Sequence, residues 1–172
     1  FHIKNNKLFT ALNVLGLSIG IAGLIFAVLY WNDEHSYDAW NSEKEKVHLV
    51  VNDLGNDNIW AQSPGPLGIH LKREFPEVAS HCYLNLGYYQ EIIQFNDKKQ
   101  SFVITDAQKN YFDFFPFQFI QGNPKSCLSP SSIAISDVAA KKLFGDLNPL
   151  NKTVLYSGRS LVVKGVYELN TK

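Results

Sequence analysis

Histidine, cysteine and paired carboxylates are the side chains here that could hold a metal or move a proton, and their spacing brings few of them together. His81 and Cys82 are neighbours, an imidazole and a thiolate of the kind that suits zinc. Adjacent residues on an extended strand point to opposite faces, however, which is a poor start for shared ligation. His35, His48 and His70 are scattered and read as surface or capping residues, and the carboxylates Asp33-Glu34 and Glu74/Glu77 fall in solvated stretches. There is no GxxxxGK[ST] phosphate loop, no HExxH and no CxxC. The expectation is therefore a protein that is not an enzyme, with no catalytic residue, no metal and no cofactor.

The thiols leave one question open. Cys82 and Cys127 are the two cysteines, and outside the cytoplasm they could pair, but two cysteines do not make a framework. Charge is equally uninformative about a ligand. Beyond residue 32 the chain carries 14 basic and 16 acidic residues, a net of −2, without the basic stripe of a nucleic-acid surface.

What must position everything else is Leu8–Asn32, LFTALNVLGLSIGIAGLIFAVLYWN, 25 residues free of charge between Lys7 and Asp33. As a helix it is about 37 Å long, enough to cross a hydrocarbon core of about 30 Å with some tilt. A buried core helix is a competing reading, but the apolar residues run around every face. A cleaved signal peptide has a shorter apolar region followed by a small-residue site, where this run ends in Leu29, Tyr30 and Trp31. The segment thus reads as a retained transmembrane helix. Lys4 and Lys7 precede it and Asp33, Glu34 and Asp38 come after it, so the N-terminus is expected in the cytoplasm and residues 33–172 outside. Lys4, Lys7, Tyr30 and Trp31 are the expected interface anchors. Gly16 and Gly20 form a GxxxG pair, with Gly23 nearby and the polar Asn13 at membrane depth, a combination that lets another helix approach closely. Glycine is also simply common in membrane helices, and both readings stand.

After the span, Asp33–Asn41 reads as a short polar-aromatic collar. Val47–Val51 (VHLVV) reads as a strand. Ser63-Pro64-Gly65-Pro66 opens a helix running to about Phe75, stopped by Pro76. Ala79–Leu86, Tyr88–Phe95 and Gln100–Thr105 are three strand candidates, the last two joined at Asn96-Asp97. Asp106 is placed as the N-cap of a short helix ending at Phe114. The crowded Phe112, Phe114, Phe115, Phe117 and Phe119 read as core. Ser132–Ile135 reads as a strand, followed by a helix Val138–Phe144 capped by Ser136 or Asp137 and closed by Gly145. Thr153–Tyr156 and Leu161–Val166 form a hairpin. The fold class expected is α+β: one N-terminal transmembrane helix (residues 1–32 with its flank) followed by an extracytoplasmic domain (33–172) of small mixed sheet–helix lobes.

Several of these stretches together resemble MacB/FtsX-like ABC transporter permeases, in particular their large Bacteroidetes-type members. NKLFTALNVLGLSIGIAGLIF is similar to the first membrane helix of that family, through Asn13, Gly16, Leu17 and Gly20. Glu34, Tyr37, Asp38 and Trp40 match the family pattern just past that helix. Pro76-Glu77-Val78, FFPFQFIQGNP at Phe114–Pro124, and SIAISDVAAKKLFGDLNPLNKTV at Ser132–Val154 are similar to family segments in the same order. Asn151 stands where the family usually has glycine, and asparagine tolerates a left-handed backbone better than most residues, so the turn is expected to survive.

The resemblance implies a bacterial inner-membrane permease fragment carrying the first span and the larger part of a MacB-like periplasmic core domain. The absence of methionine and the start at Phe1 agree with a piece of a longer chain. It implies as partners a cytoplasmic ABC ATPase subunit, further permease helices in a homo- or heterodimer, and membrane lipid. It implies as function the coupling of ATP hydrolysis to export or extracytoplasmic handling of a substrate. A membrane-anchored binding or sensor domain without transport is the rival, and a membrane-tethered hydrolase a remote third. On this reading residues 1–172 need detergent or lipid to stay monodisperse. Size-exclusion chromatography in plain buffer tests this, and a stable monodisperse peak there contradicts the membrane helix.

Overall fold

The computed structural model describes residues 7–37 and 39–169. The chain divides into two compact units, one running through Trp40 and the other starting at Asn41. The first is a single helix, α1 (Lys7–Ser36), 30 residues long and with no buried residue. Apolar side chains with high helix propensity and no proline sustain it, and it runs a turn beyond Asn32 into Asp33, Glu34 and His35. His35 stacks on Trp31 at a ring separation of 4.1 Å and its Nδ1 lies 2.9 Å from the Trp31 carbonyl.

The second unit is α+β. A two-stranded ribbon, β1 (Asn52–Asp53) with β2 (Ile59–Trp60), and helix α2 (Leu67–Glu74) come first. The main body is built from β3 (Leu84–Phe95), β4 (Lys98–Ala107), β5 (Phe119–Gly122), β6 (Ser132–Ser136), β7 (Thr153–Tyr156) and β8 (Arg159–Tyr167). These form a six-stranded sheet in the order β4-β3-β7-β8-β5, with β6 also paired to β8. All pairings are antiparallel except β6 with β8, which is parallel and reached through a helix at Asp137–Phe144. A short helix α3 (Tyr111–Phe114) lies between β4 and β5, so the crossover helix is α4 (Asp137–Phe144).

The α4 region obeys local rules closely. Ser136 accepts the Ala139 N–H at 3.2 Å as N-cap, Asp137 places a negative charge in the first turn, and the Gly145 N–H closes back on Lys141. Ala140, Leu143 and Phe144 fall on one face and are buried against Ile93, Ile135, Val154, Val163 and Val166. Val163 has no exposed surface at all. Lys142 extends from the helix over the Phe102 ring, 5.3 Å from its centre.

The hairpins follow from their turns. Tyr156 pairs with Arg159 across Ser157-Gly158, both at positive φ, as a tight two-residue loop needs. Asn151 takes φ 64, the left-handed conformation expected of it. Its N–H reaches the Val163 carbonyl at 2.8 Å.

Three expectations are corrected. Val47–Val51 is not a strand: despite its β-branched composition no ladder forms there, and the short ribbon starts at Asn52. A strand needs a partner as well as a propensity. Ala79–Leu86 and Tyr88–Phe95 are not two strands, because residues 79–83 are irregular and β3 runs unbroken from Leu84 to Phe95. Its ladder with β4 shifts register between Leu86 and Gln90, leaving Gly87, Tyr88 and Tyr89 opposite Ile104 in a bulge. A Cβ at Gly87 would lie 2.1 Å from the Ile104 carbonyl oxygen, so only glycine fits that crossing. Asp106 does not cap a helix. It pairs with Asn85 inside β4, and α3 starts after Asn110. A sheet ladder competes successfully with a single side-chain cap.

Two substitutions test this packing. Ser136→Ala removes the α4 cap and is expected to lower the unfolding free energy by about 1 kcal/mol. Gly122→Ala places a Cβ 2.2 Å from the Lys164 carbonyl oxygen at a φ of +86 and is expected to cost at least about 2 kcal/mol. Denaturant melts of the detergent-solubilised chain read both.

Candidate functional site

The residues expected to pack in the membrane all lie on α1. Asn13, Gly16, Gly20 and Gly23 recur at spacings of three, four and three, which puts them on one stripe of the helix. A Cβ built at Gly16, Gly20 or Gly23 meets nothing within 4 Å. The space beside the stripe is open. Ser18 turns its hydroxyl back to the Val14 carbonyl at 2.7 Å, so it satisfies itself within the helix. Lys7 is the first residue of α1, and Tyr30 and Trp31 are exposed near its other end. Lys4 and Asp38 lie outside the described residues.

In the second unit the aromatic residues gather as expected. Phe112 is buried, meets Phe119 edge to face at 4.7 Å and lies 5.7 Å from Tyr167, while Phe117 lies 5.0 Å from Tyr167. Tyr111 flanks Phe112 and Phe115 at 5.0 and 4.9 Å. Burial pushes the Tyr111 phenol up to about 12, with a smaller contribution from Tyr167, whose own phenol is also raised by burial. This is a packing cluster joining α3, β5 and β8.

The residue that sequence reasoning did not single out is Asn41. It belongs to the stretch expected to be a solvated collar, yet it is only 5% exposed. Its Nδ2 donates to the Phe114 carbonyl at 3.1 Å and its Oδ1 accepts the Glu43 N–H at 2.9 Å. A buried amide with both ends bonded ties the start of the unit to α3. Nothing in the sequence around Trp40-Asn41 signals this, because the partner is a backbone carbonyl far along the chain.

The other chemistry-bearing groups stay apart. Cys82 and Cys127 are both free thiols. Cys127 is buried beside Gly165 of β8, where burial pushes its thiol up to about 11, and Cys82 is also raised by burial. His81 packs its ring against Gly68 of α2 and is separated from any ligand set. Among the described residues no group of three or more His, Cys, Asp or Glu side chains could hold a metal ion. An open notch of about 270 Å³ is lined by Asp106, Tyr156, Ser157 and Arg159, all polar and at the rim of the sheet.

A long apolar helix leading into a mixed sheet crossed by one capped helix defines the class as an α+β domain behind an N-terminal apolar helix. The profile of the MacB-like periplasmic core domain matches residues 10–172, and the chain belongs to that family. In fold it is similar to a domain of a putative permease protein from Porphyromonas gingivalis, with a TM-score of 0.54 and 22% identity over 64% of this chain and 52% of that one. It is also similar to the periplasmic region of MacB from Actinobacillus actinomycetemcomitans, at 22% identity and a TM-score of 0.43 over 50% of this chain and 42% of that one. The extracellular domain of the noncanonic ABC-type transporter YknZ from Gram-positive bacteria matches at 23% identity and a TM-score of 0.41, over 51% and 49%. The chain spans about half the length of these solved domains. No curated protein matches it.

The raised groups give a pH test. The folded state holds the Cys127 and Tyr111 protons more tightly than the unfolded chain does, so their contribution to stability is complete below about pH 9. It is lost through pH 9–11 as an unfolded Cys127 ionises and through pH 10–12 for Tyr111. Alkaline urea melts are expected to show stability falling across that window, and Cys127→Ala is expected to reduce the lower part of the slope, leaving the share that the raised Cys82 thiol contributes.

Proposed function

We propose that this chain is part of the permease subunit of an ABC transporter. Its α1 acts as a membrane helix of the permease bundle, and its second unit as an extracytoplasmic domain that moves when a separate cytoplasmic ATPase hydrolyses ATP. The observation that carries this reading is that one family match, residues 10–172, begins inside the apolar helix and continues through the sheet domain. Helix and domain are thus a single inherited unit. The relative of like fold from Porphyromonas gingivalis, a putative permease protein, agrees with it.

On this proposal the N-terminal flank with Lys4 and Lys7 is cytoplasmic, residues 33–172 are periplasmic, and the membrane is the bacterial inner membrane. The chain is not itself an enzyme. ATP binding and hydrolysis belong to the ATPase subunit or domain, and the substrate is handled for export or outside the membrane. The Asn13, Gly16, Gly20 and Gly23 stripe packs against another permease helix, in the same chain or a second copy, and close backbone approach lets that contact pass rigid-body motion.

The test uses the full-length protein co-expressed with its ATPase. Replacing Gly16 and Gly20 together with leucine covers the stripe and is expected to lower both assembly with the partner subunit and ATP-dependent transport at least about tenfold, the effect of about 1.4 kcal/mol at a packed interface. Unchanged assembly and transport overturn the packing role. An ATPase that neither co-purifies with the full-length protein nor responds to it overturns the permease reading.

A further inference from the structure

We propose that Asn41 is the clamp through which displacement of the preceding segment enters the extracytoplasmic domain. This inference rests on the permease reading for its purpose, and on geometry for its existence. Helix α1 ends at Ser36, and residues 37–40 lead to Asn41, the first residue of the second unit. A short connector passes on motion only if its far end is held.

Beyond Asn41 there is little to hold it. None of residues 42–80 is buried. The turn at Lys44–Lys46, the ribbon β1–β2 and helix α2 make hydrogen bonds, but these close within residues 41–79. Firm attachment to the sheet resumes where Asn110 bonds the His81 carbonyl at 2.9 Å and β3 begins at Leu84. Between those points α2 leans on the His81 ring through Gly68, a contact near the far end of the stretch, so residues 42–66 would yield to a pull before it is passed on there. Asn41 prevents this, because it is buried, bonded to Phe114 at the end of α3, and bonded to Glu43 on its own side.

Its target is rigid. Phe114 closes a helix whose Phe112 is locked between Phe119 and Tyr167, so a displacement at residue 41 is delivered to the aromatic cluster and through Tyr167 to β8. Asparagine suits the place because its amide sets N–H donors and a carbonyl acceptor in fixed opposition. Aspartate keeps the acceptor for Glu43 and sets a carboxylate oxygen against the Phe114 carbonyl. Leucine keeps the volume and loses both bonds. Asn41 is a positioning residue, acting through the backbone it holds.

The experiment compares Asn41→Asp and Asn41→Leu with the unaltered full-length protein and its ATPase in membranes, reading amide exchange and transport per ATP hydrolysed. Amides 42–47 are expected to exchange about tenfold faster in Asn41→Asp, the effect of losing one buried hydrogen bond, and faster still in Asn41→Leu, which loses both, while amides of β6, β7 and β8 keep their protection. Hydrolysis is expected to continue while transport per ATP falls several-fold. Unchanged exchange at 42–47 overturns the clamp. Loss of protection throughout the sheet overturns it too, since Asn41 would then serve general stability, and so does unchanged transport per ATP with faster exchange. If the unaltered protein shows no ATP-dependent transport, the permease reading fails on its own, and the exchange comparison still decides whether Asn41 holds the entry point.

Discussion

The folded unit depends on strand β8 finding three partners. It pairs antiparallel with β7 and β5 and parallel with β6, and each pairing satisfies backbone groups that would otherwise be buried and unbonded. The parallel partner is the demanding one, because a parallel strand cannot be reached by a tight turn and needs a crossover. Helix α4 is that crossover, and its buried face is what covers Val163 and Val166. Remove the pairing of β6 with β8 and α4 loses its packing on Ile135, Val163 and Val166, keeping only its contacts with β3, β4 and β7. Remove α4 and one face of β8 is open to water.

The two units solve the same physical problem in opposite ways. In the second, apolar side chains from α4 and the strands bury one another, and the polar residues at the rim remain wet. In α1 the apolar surface has no partner within the helix itself, so its stability comes from backbone bonds alone until some other apolar phase or helix covers it. That surface is long and apolar on every face. Along one stripe of it Gly16, Gly20 and Gly23 leave the backbone uncovered by side chains.

Asn41 stands at the junction between these regimes. Helix α1, exposed and apolar on every face, ends five residues before it, and a stretch with little packing of its own follows it. A single buried amide fixes where the compact domain begins. Its bond to α3 brings the start of the unit to the aromatic cluster, which in turn leans on β8.

What the amino-acid sequence determined by itself was whatever depends on neighbours in the chain. The apolar run of α1, the Ser136 cap and Gly145 closure of α4, the tight turn at Ser157-Gly158 and the left-handed Asn151 are all settled within a few residues, so their signals are written locally. The family likeness was legible for the same reason, in contiguous motifs such as Ser132–Val154. Only the tertiary structure decided whether a strand-like stretch would find a partner. VHLVV at Val47–Val51 did not, Asp106 was claimed by β4 instead of a helix cap, and a strand break expected near Gly87 became a bulge because β4 runs alongside. Asn41 was invisible for the same physical reason: the acceptor that buries it is a backbone carbonyl at Phe114, and no local pattern records a contact made across the fold.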